Sequence, residues 1–270
     1  MRKCFWLVLI VVQVSCKPGL GIKSTAPHIA HNNLVVSGKF WASAFHQKAA
    51  EYTALCHQAY NIAKIKLDGA LGANTTGKPL AIITDIDETV LNNSPYTVHR
   101  SLNDSTYDKS SWYNWTAKEA ATPIPGSVEF FNYAASKGVQ VFYITNRDEV
   151  ERTATLRNLK KFNYPFTDDT HLIVRQTTSS KESRRKPIAE QYEIVLLLGD
   201  NLADFSSLWD KKSIVEREKN VNDNAAMFGN KFIMLPNTDY GGWEDAMYGN
   251  QYNLTPAQKD SAVKAGLKWY

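Results

Sequence analysis

The chain has 270 residues, 31 lysines and arginines against 27 acidic residues, a formal charge of +4 and 43% hydrophobic residues. That near-balance does not suggest a nucleic-acid-binding protein. The length fits one domain with insertions, and no internal repeat is visible.

Arg2 and Lys3 followed by the apolar run 5–12 read as the charged start and core of an export signal. The run is too short to span a bilayer as a stable anchor. It ends in Gln13-Val14-Ser15-Cys16, so we expect a signal peptide over 1–15 and a bacterial lipoprotein with Cys16 diacylated as its new amino terminus. An ordinary cleaved signal is the alternative. Loss of Arg2 and Lys3 with the leader leaves a charge of +2. Cys4 lies in the leader and Cys16 carries the lipid, so Cys56 alone remains and no intrachain disulfide is expected. The segment 16–39, with Pro18, Gly19, Gly21, Pro27 and Gly38, reads as a flexible tether.

Trp41, Phe45, Tyr52, Leu55, Ala59 and Ile62 recur at helical spacing and predict one long amphipathic helix, with Cys56 a small core residue on its stripe. The glycine-bounded stretch 69–77 ends it. The apolar run ending in Ile82-Ile83-Thr84-Asp85-Ile86-Asp87 reads as a buried parallel strand carrying two aspartates at its carboxyl end. Ligands of open α/β sheets sit just beyond such ends. Two carboxylates there call for a divalent cation, and one can attack phosphorus while the other moves a proton.

The interval 92–122 is long and carries Trp112, Tyr113 and Trp115. Long connections are functional or disordered, and this aromatic content argues against disorder. A stacking surface for a nucleobase or aryl group, or a small satellite core, would each use such residues. Beyond it, the predicted helices are 127–136, 149–162 and 184–191. A strand ends in Tyr143-Ile144-Thr145-Asn146-Arg147, and 171–174 is another. Lys181 follows in a polar stretch, and Arg184-Arg185-Lys186 reads as a solvated helix start, with attraction of an anionic substrate as the alternative. The apolar run 193–198 ends in Gly199-Asp200, and Asp204 lies about one helical turn further on. A strand over 231–235 and a terminal helix capped by Thr255-Pro256 complete the chain. This alternation predicts a mostly parallel sheet covered on both faces.

Ile83-Thr84-Asp85-Ile86-Asp87-Glu88-Thr89-Val90-Leu91-Asn92, Gly199-Asp200-Asn201-Leu202-Ala203-Asp204-Phe205, Tyr143-Ile144-Thr145-Asn146-Arg147 and Pro236-Asn237-Thr238-Asp239-Tyr240-Gly241-Gly242-Trp243-Glu244 together resemble the haloacid dehalogenase (HAD) superfamily. Within it they are most similar to the class C acid phosphatases, the lipoprotein e type of 5′-nucleotidase with four signature aspartates. The resemblance implies a HAD-like Rossmannoid three-layer sandwich, with an amino-terminal helix and a helical, aromatic insertion at about 92–122 in a domain over 40–270. It implies an exported phosphomonoesterase at the outer membrane, or periplasmic or secreted. Asp85 would be the nucleophile and Asp87 the acid–base, starting protonated. One Mg²⁺ would be held by Asp85, Asp200 and the carbonyl of Asp87, with Asp204 behind them. Thr145, Asn146 and Lys181 would bind phosphate. Trp112 and Tyr240 would stack on a nucleoside monophosphate or aryl phosphate. A haem- or nucleotide-binding lipoprotein and a phosphotransferase are the alternatives, and a homodimer is one expected assembly.

Overall fold

The structure is a computed structural model that describes residues 33–73 and 77–270. The expected leader over 1–15 and Cys16 lie outside the described residues. The chain begins with α1 (Leu34–Lys48) and α2 (Ala50–Ala73), followed by β1 (Leu80–Thr84) and β2 (Leu91–Asn92). The insertion supplies α3 (Ser94–Leu102) and α4 (Lys109–Thr116) before β3 (Thr122–Pro123). Then come α5 (Ser127–Ser136), β4 (Gln140–Ile144), α6 (Arg152–Lys161), β5 (Leu172–Ile173), α7 (Glu182–Gln191) and β6 (Glu193–Gly199). The last elements are α8 (Ile214–Asp223), β7 (Phe232–Met234), α9 (Gly242–Met247) and α10 (Pro256–Gly266).

Five strands form one sheet in the order β5-β4-β1-β6-β7, and every neighbouring pair is parallel. β1 is central and wholly buried, so its sequence is a continuous apolar run rather than an alternation. Its residues still divide by face. Leu80 and Ile82 join the core formed with Tyr60, Ala63 and Leu67 of α2 and Phe130 and Phe131 of α5. Ala81 and Ile83 join the opposite core, with Ile188 of α7, Phe205 and Trp209. The expected three-layer α/β sandwich is therefore observed. β2 and β3 pair antiparallel, with Leu91 opposite Pro123 and Asn92 opposite Thr122, and close the insertion at its base.

Several expectations need correction. The amino-terminal helix is two helices, broken at Ala49, whose backbone is extended. Trp41 is 73% exposed, so it stands off the core that Phe45 and Tyr52 of the same stripe pack against. Helix α1 starts at Leu34, inside the segment read as tether. Its first turn is docked, because the backbone N–H groups of Leu34 and Val35 donate to the Asp260 carboxylate at 2.9 and 3.1 Å. Those are the orphan donors of a helix start, and a carboxylate there is favoured by the helix dipole. Gly69 and Gly72 lie within α2 rather than ending it. Cys56 is fully buried on α2, as expected of a core residue.

Candidate active site

Strand register brings the two acidic motifs together. β1 and β6 are neighbours with Thr84 opposite Leu198, and the backbone N–H of Asp85 donates to the Leu198 carbonyl at 3.0 Å. The residues that follow, Asp85 and Gly199-Asp200, therefore emerge side by side at the carboxyl edge. β4 lies on the other side of β1 with Tyr143 opposite Thr84, which brings Thr145 to the same edge. Lys181 caps α7 and reaches the cluster from the outer face.

Asp85, Asp200 and Asp204 each offer a carboxylate oxygen, and these oxygens lie within 4.8 Å of one another. All three side chains are largely buried. The ammonium of Lys181 pairs with Asp85 and with Asp204 Oδ1, the latter at 2.7 Å. Asp200 accepts from the neutral donors Thr89 Oγ1 at 3.1 Å and Asn237 Nδ2 at 2.7 Å. One lysine thus faces three carboxylates. Burial raises the Asp85 carboxyl to about 7, with Lys181 opposing the rise and Asp204 adding to it. Burial also pushes Asp200 well above the usual carboxylate range, and repulsion from Asp204 and Asp85 pushes the same way. An all-oxygen, anion-rich, desolvated set of this kind fits a hard divalent cation.

Asp204 serves two purposes. Its Oδ2 accepts from the Asn201 N–H at 2.9 Å, closing a capping box, while Oδ1 meets Lys181. Gly199 makes room for it, since a Cβ at Gly199 would lie 2.4 Å from the Cβ of Asp204.

The family model for acid phosphatases of HAD superfamily subfamily IIIB matches residues 29–243. The chain belongs to this family of phosphomonoester hydrolases. It is similar to the class C acid phosphatase of Bacillus anthracis, at 38% identity and a TM-score of 0.83 over 87% of this chain and 99% of that one. A second structure of that enzyme, with tungstate bound, matches at 38% identity and a TM-score of 0.84 over 88% of this chain and 99% of that one. Acid phosphatase 1 of Solanum lycopersicum is 30% identical over 130 residues, which cover 45% of this chain and 50% of that protein. The chain spans about half the length of the curated relatives it matches.

Within this acid phosphatase fold the remaining expected site residues fall around the turn 87–89. Both oxygens of Asp87 accept from the Arg147 guanidinium, at 2.7 to 3.2 Å. The Arg147 guanidinium is thus the nearest charged partner of the Asp87 carboxyl. Thr145 Oγ1 lies 3.4 Å from Asp87 Oδ2. Asn146 is exposed, and its Oδ1 accepts from Arg184 Nη2 at 2.6 Å. Trp112 rests against Tyr96 and Arg147, while the Tyr240 hydroxyl donates to Glu88. The two rings flank the turn 87–89 through different partners.

Sequence reading gave Arg147 and Glu88 no role and took Arg184 as part of a solvated helix start. Arg184 and Arg185 are buried rather than solvated. Arg184 donates to the Thr145 carbonyl at 2.6 Å and Arg185 to the Asp204 carbonyl at 2.5 Å. Guanidinium groups tolerate burial when carbonyls satisfy their donors. These two brace α7, and Lys181 with it, against the ends of β4 and β6. Glu88 has a left-handed φ of 60°, is almost fully buried, and accepts from the Asn93 N–H at 2.8 Å. Burial raises its carboxyl to about 8. The signal for it was the acidic residue directly after Asp85-Ile86-Asp87.

Proposed function

We propose that the chain is an exported, magnesium-dependent acid phosphatase that works through an aspartyl-phosphate at Asp85. The observation that carries this reading is the convergence of Asp85, Asp200, Asp204 and Lys181 at the carboxyl edge of β1 and β6. Asp85 and Asp200, with the backbone carbonyl of Asp87, would hold Mg²⁺, with Asp204 steadying that set from behind. The cation, when bound, neutralises charge on the transferring phosphoryl group and offsets its repulsion from the anionic nucleophile.

An Asp85 oxygen attacks phosphorus in line, and the ester oxygen departs with a proton from Asp87. Asp87 then takes a proton from the water that attacks the acyl phosphate, which releases phosphate and restores the Asp85 carboxylate. Lys181 holds positive charge beside the nucleophile. With Thr145 and Asn146 it meets the equatorial phosphoryl oxygens, so developing charge finds fixed donors. Trp112 and Tyr240 would stack on the leaving group, which favours a nucleoside monophosphate or an aryl phosphate. The leader over 1–15 and acylation of Cys16 would place this chemistry outside the cytoplasm, at a membrane surface.

Rapid acid quenching of enzyme turning over a ³²P-labelled phosphomonoester tests the central step. Label is expected on the peptide carrying Asp85, and labelling is expected to vanish with chelator and return with Mg²⁺. Full turnover after exhaustive metal removal, or label on a different residue, overturns the reading. An added alcohol measures how much of the intermediate passes to an acceptor other than water. Mass spectrometry of the mature amino terminus decides the anchor, since a free, unacylated terminus beyond Cys16 means a plain secretory signal.

A further inference from the structure

We infer that Arg147 and Asn93 are positioning residues for Asp87, and that α4 of the insertion holds both from behind through Trp112 and Trp115. This inference rests on the reading of Asp87 as the acid–base.

Asp87 Oδ1 accepts from Arg147 Nη2 at 2.7 Å, from Arg147 Nε at 3.1 Å and from Asn93 Nδ2 at 2.9 Å. Oδ2 accepts from Arg147 Nε at 3.2 Å. Such a fork fixes both torsions of the carboxylate, which a single donor does not. Each donor is itself locked. Arg147 is 2% exposed and its Nη1 donates to Thr155 Oγ1 at 3.0 Å. Asn93 is also 2% exposed, and its Oδ1 accepts from the indole Nε1–H of Trp115 at 2.9 Å. An indole only donates, so it claims the oxygen of Asn93 and leaves the NH₂ facing Asp87.

Helix α4 makes the remaining contacts. The Trp112 ring centroid lies 5.8 Å from the Arg147 guanidinium carbon. The Tyr113 hydroxyl donates at 2.5 Å to Asp148, the residue after Arg147, and Arg175 and Lys109 pair with the same carboxylate at 2.6 and 3.0 Å. An eight-residue helix has no stability of its own. These contacts therefore fix where α4 sits. They also make two of its side chains, Trp112 through Arg147 and Trp115 through Asn93, neighbours at one remove of the Asp87 carboxylate. A general acid must stand within about 2.6–3.2 Å of the atom it protonates, so rotation of Asp87 costs rate without costing the fold.

The test uses leaving-group dependence of kcat/KM, which reports only steps through the first phosphoryl transfer. Protonation matters for an alkyl phosphate, whose alkoxide leaves poorly, and little for 4-nitrophenyl phosphate. Trp115→Phe keeps a ring and removes the donor. It is expected to lower kcat/KM about tenfold for the alkyl ester and less than about twofold for the aryl ester, a fraction of the roughly 10²–10⁴ that a general acid supplies. Arg147→Lys keeps the charge, removes the fork and is expected to discriminate about 100-fold between the two esters. Guanidinium added to Arg147→Ala should restore the alkyl reaction selectively. Asp87→Ala must show the same discrimination at larger size. Equal losses on both esters in the Trp115 and Arg147 variants, beside a discriminating Asp87→Ala, overturn the positioning role. An Asp87→Ala that does not discriminate overturns the acid–base reading, and this inference with it.

Discussion

Gly199 shows how one residue controls the cluster. Its missing side chain is the space that Asp204 fills. Gly199→Ala must push Asp204 away from both Lys181 and the Asn201 cap. Removing a group that orients a metal's ligands typically costs about 10–100-fold in metal affinity. The alanine variant is therefore expected to need at least about tenfold more Mg²⁺ for half-maximal activity. An unchanged Mg²⁺ titration would separate Asp204 from the metal site. The same physics explains why Asp204 is weak evidence when read alone. An acidic residue in a first turn caps the chain in many proteins, and here it does cap, with one oxygen to spare for Lys181.

At the scale of elements, α1 is fastened to the segment 236–244. Lys39 pairs with Glu244 at 2.8 Å, and His46 Nε2 lies 3.1 Å from Thr238 Oγ1 while its ring stacks on Tyr52. Burial lowers the His46 imidazole from 6.5 to about 4. The folded state thus favours the neutral ring by about 3 kcal/mol. Because the folded value is depressed, this stabilisation is complete above about pH 6.5 and is lost as pH falls towards 4. His46→Gln should remove that part of the pH dependence. Urea unfolding at pH 7 and pH 4.5 measures it, and an unchanged difference between the two pH values would mean that His46 does not titrate with folding. The same segment carries Tyr240, and the insertion carries Trp112. If the rings stack on the leaving group, Trp112→Ala and Tyr240→Ala should each lower kcat/KM for a nucleoside monophosphate about 5- to 150-fold, the range of roughly 1–3 kcal/mol per stacked base. An alkyl phosphate should change much less with Tyr240→Ala. Equal losses for that variant would show that the Tyr240–Glu88 link supports the turn 87–89 instead.

At the scale of the whole molecule, the metal-free fold carries carboxyls that resist ionisation. Asp85 sits at about 7, and it must lose its proton before it can hold a cation. Because the folded value is raised, the metal-free protein is favoured by protonation below about pH 4 and loses that stabilisation as pH rises through about 7. Mg²⁺ should reverse the loss. Thermal unfolding with and without saturating Mg²⁺ is expected to show a gap that widens from pH 5 to pH 8. It should approach about 2.7 kcal/mol where the cation is 100-fold above its dissociation constant. In Asp200→Asn the gap should nearly close. A gap that is constant across this range would place the cation away from Asp85.

The sequence by itself determined the strands of the parallel sheet and the α/β class, but not the β2–β3 pair inside the insertion. Buried parallel strands are short apolar runs, and β1 and β6 here each run into an aspartate that cannot be buried without a partner. Asp85, Asp87 and Asp200 stand out in the sequence for that reason, and the flanking glycines mark the helix over 127–136. Only the tertiary structure decided which side chains meet. The order β5-β4-β1-β6-β7 places Asp85 beside Asp200, although 115 positions separate them in the chain. It also turns a run of arginines that looks solvated into two buried braces, and sets Trp112 against Arg147 and Trp115 against Asn93. Local sequence records the preference of each segment for helix or strand. The partners of a buried guanidinium or carboxamide come from elements far away in the chain, so their roles exist only once the sheet has assembled.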